Sequence, residues 1–260
     1  MHRPHRHALA ALFALLLLAA CDDGPTAPTS YVQHVAGATW VAVTEPAGLP
    51  RVDTWLPYVP AESAAGRTLR EMRDQAAKAR SAAHVEEALR LEDEMMRLAA
   101  RSLARAPEPA RVLAGAAALE SWADRARARL ETGSFPELAA TVATVSAHAH
   151  AARTAVATGD NAGAVLHVTD GAIAARQHAP LAVGLRLMAA VEARLGPSAG
   201  ESAGVRRARH LLADAREGLA TGDSVRALRR AVYALQLLEA EGIVVPSTRS
   251  GTVDSLRPLQ

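Results

Sequence analysis

From Ala61 to Gly242, small apolar residues return every three or four positions with little interruption. Leu69, Met72, Ala76 and Ala79 form one series, and Val112, Ala116, Leu119, Ala123, Ala126 and Leu130 another. Leu138, Val142, Val145, Ala149, Ala152 and Val156 repeat the pattern. So do Val205, Ala208, Leu212, Ala215 and Leu219, then Val225, Leu228, Val232 and Leu235. This spacing gathers each series on one face of a helix, whereas a strand alternates its faces every second residue. Alanine fills many of these positions and supplies nearly a quarter of the chain, while aromatic residues make up only 3%. Such a composition favours helix and excludes a collagen-like, disulfide-rich or all-β protein. Alanine at the contact faces also lets helices pack toward the close end of their usual spacing.

Breaks in the pattern predict about eight helices, over 62–80, 84–105, 109–131, 135–157, 161–178, 181–195, 201–220 and 224–241. Pro109, Pro136 and Pro180 stand near first-turn positions, where the missing N–H costs nothing, and Gly196-Pro197 ends a helix. Most connections are short, so neighbouring helices must run antiparallel. The expected fold is all-α, an antiparallel helical-hairpin bundle of about eight helices spanning 61–242. The alternative is a short α-solenoid. The polar tail 243–260 is expected to be loose.

One local motif recurs. Ala152-Arg153 precedes Ala157-Thr158-Gly159-Asp160 and then Ala164-Val165. Sixty-three residues later the same order returns as Ala215-Arg216, Ala220-Thr221-Gly222-Asp223 and Ala227-Leu228. A weaker copy runs through Ala126-Arg127, Thr132-Gly133-Ser134 and Leu138-Ala139. Glycine closes a helix in the left-handed conformation, and the following Asp or Ser caps the next helix. The motif predicts a tight helix–turn–helix joint with Gly159 and Gly222 at positive φ. These joints partly resemble tetratricopeptide-type hairpins. Their spacing differs from the 34-residue period of that family, and its Trp, Gly, Tyr and Pro pattern is missing.

Ahead of the helices, residues 31–60 hold Tyr31, Trp40, Trp55 and Tyr58, half of the chain's aromatics, and four prolines. The alternation in Thr39-Trp40-Val41-Ala42-Val43-Thr44 reads as a short strand. The segment is read as an extended strap packed on the helices with its aromatics as pegs, in preference to a sticky surface for a partner or glycan.

Residues 1–7 carry Arg3, Arg6 and no acid, and residues 8–20 are continuously apolar. That order is a secretory signal. Its apolar run, about 13 residues, falls short of the roughly 20 that span a bilayer. Leu18-Ala19-Ala20-Cys21 resembles the lipobox of bacterial lipoprotein precursors. The resemblance covers residues 1–21. It implies cleavage before Cys21, a diacylglyceryl group on its thiol and an acyl group on its amine. It therefore implies membrane lipid as a partner through acylated Cys21, in the cell envelope, facing the periplasm or exterior. Asp22 resembles the inner-membrane retention signal of enterobacterial lipoproteins. Residues 21–30 then read as the lipidated cysteine and a flexible tether.

Cys21 is the chain's only cysteine, so lipidation leaves no thiol for disulfides, catalysis or a cysteine metal site. Arg3 and Arg6 fall in the signal; without them, 27 basic residues face 27 acidic ones. Arg206, Arg207, Arg209, Arg226, Arg229 and Arg230 lie among acids and read as a mixed solvated face. Nucleic acid is not an expected partner.

No H-E-x-x-H, P-loop, G-x-G-x-x-G, G-x-S-x-G or C-x-x-C-H motif occurs. His148 and His150 point roughly 200° apart on a helix and cannot chelate together. His167 and His178 would share a helix face but sit roughly 16 Å apart. His84 with Glu87 and His210 with Asp214 read as surface pairs. Glu86, Glu87, Glu92, Asp93 and Glu94 interleave with Arg90, Arg97 and Arg101 as a salt-bridged face, and Met95 and Met96 read as core. No catalytic residue, cofactor or metal-ligand set is assigned. The expected function is a membrane-anchored envelope lipoprotein with a helical interaction or scaffold domain and an envelope protein as its partner. The alternative is a small-molecule- or metal-binding helical bundle in the envelope.

Overall fold

A computed structural model describes residues 30–35, 38–81, 84–131, 135–196 and 202–243. The expected signal peptide, Cys21, most of the tether, the joint at 132–134 and the tail from 244 lie outside the described residues. An antiparallel hairpin, β1 (Ser30–Val35) and β2 (Ala38–Val43), comes first, with Val32 opposite Val41. A one-turn helix, α1 (Val52–Trp55), then runs into a 3-10 turn at Leu56–Tyr58. The long helices are α2 (Ala64–Ser81), α3 (Val85–Arg101), α4 (Pro109–Leu130), α5 (Pro136–Ala157) and α6 (Asn161–Arg176). The chain continues through α7 (Pro180–Arg194), α8 (Ala203–Ala220) and α9 (Ser224–Ala240). The fold is an all-α helical bundle, and each helix expected from the periodicity is present.

Two helices stop more than one residue earlier than the periodicity suggests. α3 ends at Arg101 rather than 105, because the Ala104 N–H donates to the Tyr58 carbonyl at 2.9 Å and Pro107 follows. α6 ends at Arg176 rather than 178. Gln177–Ala179 make successive turns, and the His178 carbonyl accepts from the Val43 N–H at 2.7 Å.

The core has two adjoining parts in the first half. One gathers Trp55, Leu69, Leu91, Met95, Val112 and Val165; the other gathers Trp122, Met96, Leu138, Val145 and Ile173. A third cluster joins Val183, Leu187, Leu212, Leu228 and Leu235 of α7–α9. Strand β2 lies between the two halves. Val41 and Val43 enter the core of α4–α6, and Ala42 enters that of α7–α9. The period of two seen in the sequence thus sends larger side chains one way and the small one the other. The strap carries the strand, as expected, and is more folded than a single extended run. Trp55 and Tyr58 are buried pegs.

Both joints form as the motif demands. Gly159 and Gly222 each have φ of +82°. The Asp160 N–H reaches the Ala155 carbonyl at 2.8 Å, and the Asp223 N–H reaches that of Gly218 at 2.8 Å, closing the Schellman pattern. The same aspartates cap α6 and α9, accepting from Gly163 and Arg226 N–H at 2.8 Å. Thr158 and Thr221 donate their hydroxyls to carbonyls one turn back. Arg153 and Arg216, at matching positions, pair with Glu120 and Glu192 on the preceding helices. The repeat is therefore three-dimensional as well as local.

A Cβ at Gly222 would meet no heavy atom within 4 Å, so only backbone strain opposes a side chain there. Gly222→Ala is expected to lower stability by about 1 kcal/mol, and Asp223→Ala by about 0.5–2 kcal/mol. Thermal melts check both, and a melting temperature raised by Gly222→Ala would contradict the hairpin.

Candidate functional site

A groove of about 1130 Å³ opens among the described residues. One wall is the α2–α3 pair, with Ala76, Ala77, Val85 and Leu89. The other is α7 and the α8–α9 joint, with Leu181, Leu185, Ala189, Leu219 and Val225. Ala76 and Val85 are buried, the leucines and Val225 are half-buried, and Ala77 and Ala189 are exposed. The groove is thus a gap left by the two halves of the bundle, and one of the repeated joints forms part of its edge.

Its floor is built by Arg176 at the end of α6. Arg176 donates to the Pro50 carbonyl at 2.7 Å, touches the Met96 sulfur and lies 3.7 Å from Asp93. Burial raises the Asp93 carboxyl above its ordinary range, against the pull of Arg176. Both side chains are mostly buried, at 15% and 21% exposure, so each needs the other. Arg176 holds the strap, α3 and α6 together at one point. The rim carries Arg51, Arg73, Arg80, Arg90 and Arg186. They pair respectively with Glu45, Asp53, Glu92, Glu94 and Glu137. The rim is charged in both signs and has no large excess of either. Among the described residues, no histidine lines the groove. Its lining combines apolar side chains with paired charges, which suits binding through apolar contact.

His178 sits behind this floor, in the turn between α6 and α7. It lies beyond the end of α6, so it does not share a helix face with His167. It is only 6% exposed, and its Nδ1 lies 3.3 Å from the Val41 carbonyl. A carbonyl only accepts, so Nδ1 carries the proton. Nε2 lies 3.1 Å from Thr141 Oγ1, whose hydroxyl donates to the Glu137 carbonyl at 3.0 Å. Burial is the main cause holding its pKa below the ordinary histidine value, while the Val41 hydrogen bond works the other way. With its backbone bond to Val43, His178 stitches the outer edge of β2 to the α6–α7 turn.

The acidic cluster of α3 is a salt-bridged face, as the interleaved arginines suggest, except for Asp93, which turns inward. Met95 and Met96 are core residues. His84 and Glu87, 3.8 Å apart, and His210 and Asp214, 3.3 Å apart, are exposed or part-exposed surface pairs. Arg230 joins Asp214 at 3.9 Å, consistent with a mixed face. Tyr58 donates to Glu108 at 2.5 Å beneath Arg105 and Arg111, which cover its ring. Cys21 lies outside the described residues.

Arg176 and the His178 stitch were missed from the sequence. Their partners are 80 or more residues away in every contact but one. Among the described residues, no helix is long and apolar enough to cross a membrane. No family model, curated protein or solved structure matches this chain.

Proposed function

We propose that this chain is a lipid-anchored envelope protein whose helical body serves as an interaction scaffold. The observation that carries the reading is the order of charged start, apolar run, Leu18-Ala19-Ala20 and Cys21, followed by a polar linker. Two or three acyl chains on one cysteine anchor firmly, where one chain binds only marginally. The linker, extended, gives the body roughly 28 Å of reach, enough to stand clear of the lipid surface. The groove between the halves supplies a concave apolar surface for an envelope protein partner, and its paired rim charges favour orientation over non-specific attraction.

Cys21→Ala is expected to move the protein from the membrane fraction to the soluble fraction or to leave uncleaved precursor. Mass spectrometry of the mature protein should find a diacylated or triacylated N-terminal cysteine. A mature N-terminus elsewhere, without lipid, would refute the anchor. Photo-crosslinking from Leu185 in membranes tests the scaffold separately. Capture of one protein by this position, and not by a probe at exposed Ala128, is the expected result.

A further inference from the structure

We propose that His148 and His167 form a surface site for a divalent transition-metal ion. His148 lies on α5 and His167 on α6, and the joint at Thr158–Asp160 brings the two helices back antiparallel. Counting outward from Gly159, His148 is eleven residues before it and His167 eight after, so the two stand within about one turn of the same level. Their ring centroids are 5.8 Å apart, with planes tilted by 43°. Both rings are half-buried, each within reach of solvent.

The separation is close to what a shared metal requires. A zinc–nitrogen bond of about 2.0–2.1 Å puts an imidazole centre about 3.2 Å from the ion, and two such rings at a tetrahedral angle stand about 5.2 Å apart. The backbone around His148 is held in place by close packing. A Cβ on Gly171 of α6 would come within 3.0 Å of the His148 Cβ and 2.7 Å of Leu119 Cδ1. Glycine at that position lets α6 approach His148 closely, so the pair faces across a narrow helix–helix seam.

No group of three or more candidate ligands occurs among the described residues. The ion would therefore keep open positions for water or a small anion. Imidazole nitrogens suit copper, nickel and zinc, with copper(II) bound most tightly, and discriminate against magnesium and calcium. The ligand class is thus an exchangeable, borderline divalent cation. Neither histidine lines the groove.

The test is titration of the untagged mature protein with copper(II) and, separately, zinc(II), by calorimetry. The coordination is read by electron paramagnetic resonance of the copper form. One equivalent is expected to bind at this site, with two nitrogen ligands in the copper spectrum. His148→Ala and His167→Ala should each weaken binding by about tenfold or more, with circular dichroism unchanged. His150→Ala, which removes an exposed neighbour on the same helix, should leave binding intact. Absence of binding, or binding unaltered in both site variants, would overturn the proposal. Loss in His150→Ala alone would overturn it too.

Discussion

Trp122→Ala is expected to destabilise the protein by about 3–5 kcal/mol, the range for a large aromatic removed from a packed core. Trp122 is fully buried among Leu119, Ala123, Ala126, Leu138 and Val145. Many of its cluster mates are alanines, which have no rotamers to swing into a vacated space, so the cavity should persist. The loss would remove a large part of the stability of an ordinary domain. Trp122→Phe separates volume from polarity. The indole Nε1–H has no hydrogen-bond partner among the described residues, so phenylalanine removes an orphan donor while keeping most of the ring. It should cost well under half as much. Denaturant unfolding of both variants checks the pair, and a cost for Trp122→Ala below about 1.5 kcal/mol would mean that this core is not packed as described.

Ala42→Asp should be similarly severe, for a different reason. Ala42 is 1% exposed and is the residue of β2 that enters the α7–α9 core. A carboxylate there has no cation among its apolar cluster mates, and an uncompensated buried charge costs about 3–5 kcal/mol. Expulsion of β2 from one side would uncouple the halves. Urea unfolding followed at several probes should then show two transitions in place of one. The pH dependence has a definite sign. Burial raises the new carboxyl above its unfolded pKa, so the penalty holds at neutral pH and shrinks as pH falls and the group takes up a proton. A single transition with the parent midpoint would show that the strand does not join the halves.

Local features were legible from the sequence, and long-range ones were not. The Thr-Gly-Asp joints succeeded because every bond in them lies within six residues, so glycine and aspartate state their conformations without reference to the rest of the chain. The helix stripes succeeded because alanine and leucine repeat with the helical period. β1 was missed, since Ser30-Tyr31-Val32-Gln33-His34-Val35 has no regular alternation. The alternation of β2 was visible, but its meaning was not. Both faces of that strand are covered, so it sorts large from small in place of apolar from polar. The groove depends on how far the α2–α3 pair stands from α7, an angle no short motif encodes. Neither His148 nor His167 has a partner histidine close by on its own helix face, and their pairing follows from folding the chain back at Gly159.

The alanine-rich helix seams bear on what this protein can tolerate. An alanine side chain has no rotamers to freeze, so ordering these seams costs almost nothing beyond the backbone. The gain per residue is equally small, and the bundle relies on many close contacts of little individual weight. Residues such as Ala116, Ala123, Ala152, Ala172 and Ala215, all fully buried, can lose almost nothing by truncation. They are exposed instead to enlargement, since one added methylene forces two helix backbones apart. Mutational sensitivity in this chain should therefore reach its small positions as well as large ones such as Trp122, with growth at a buried alanine costing about 1–3 kcal/mol.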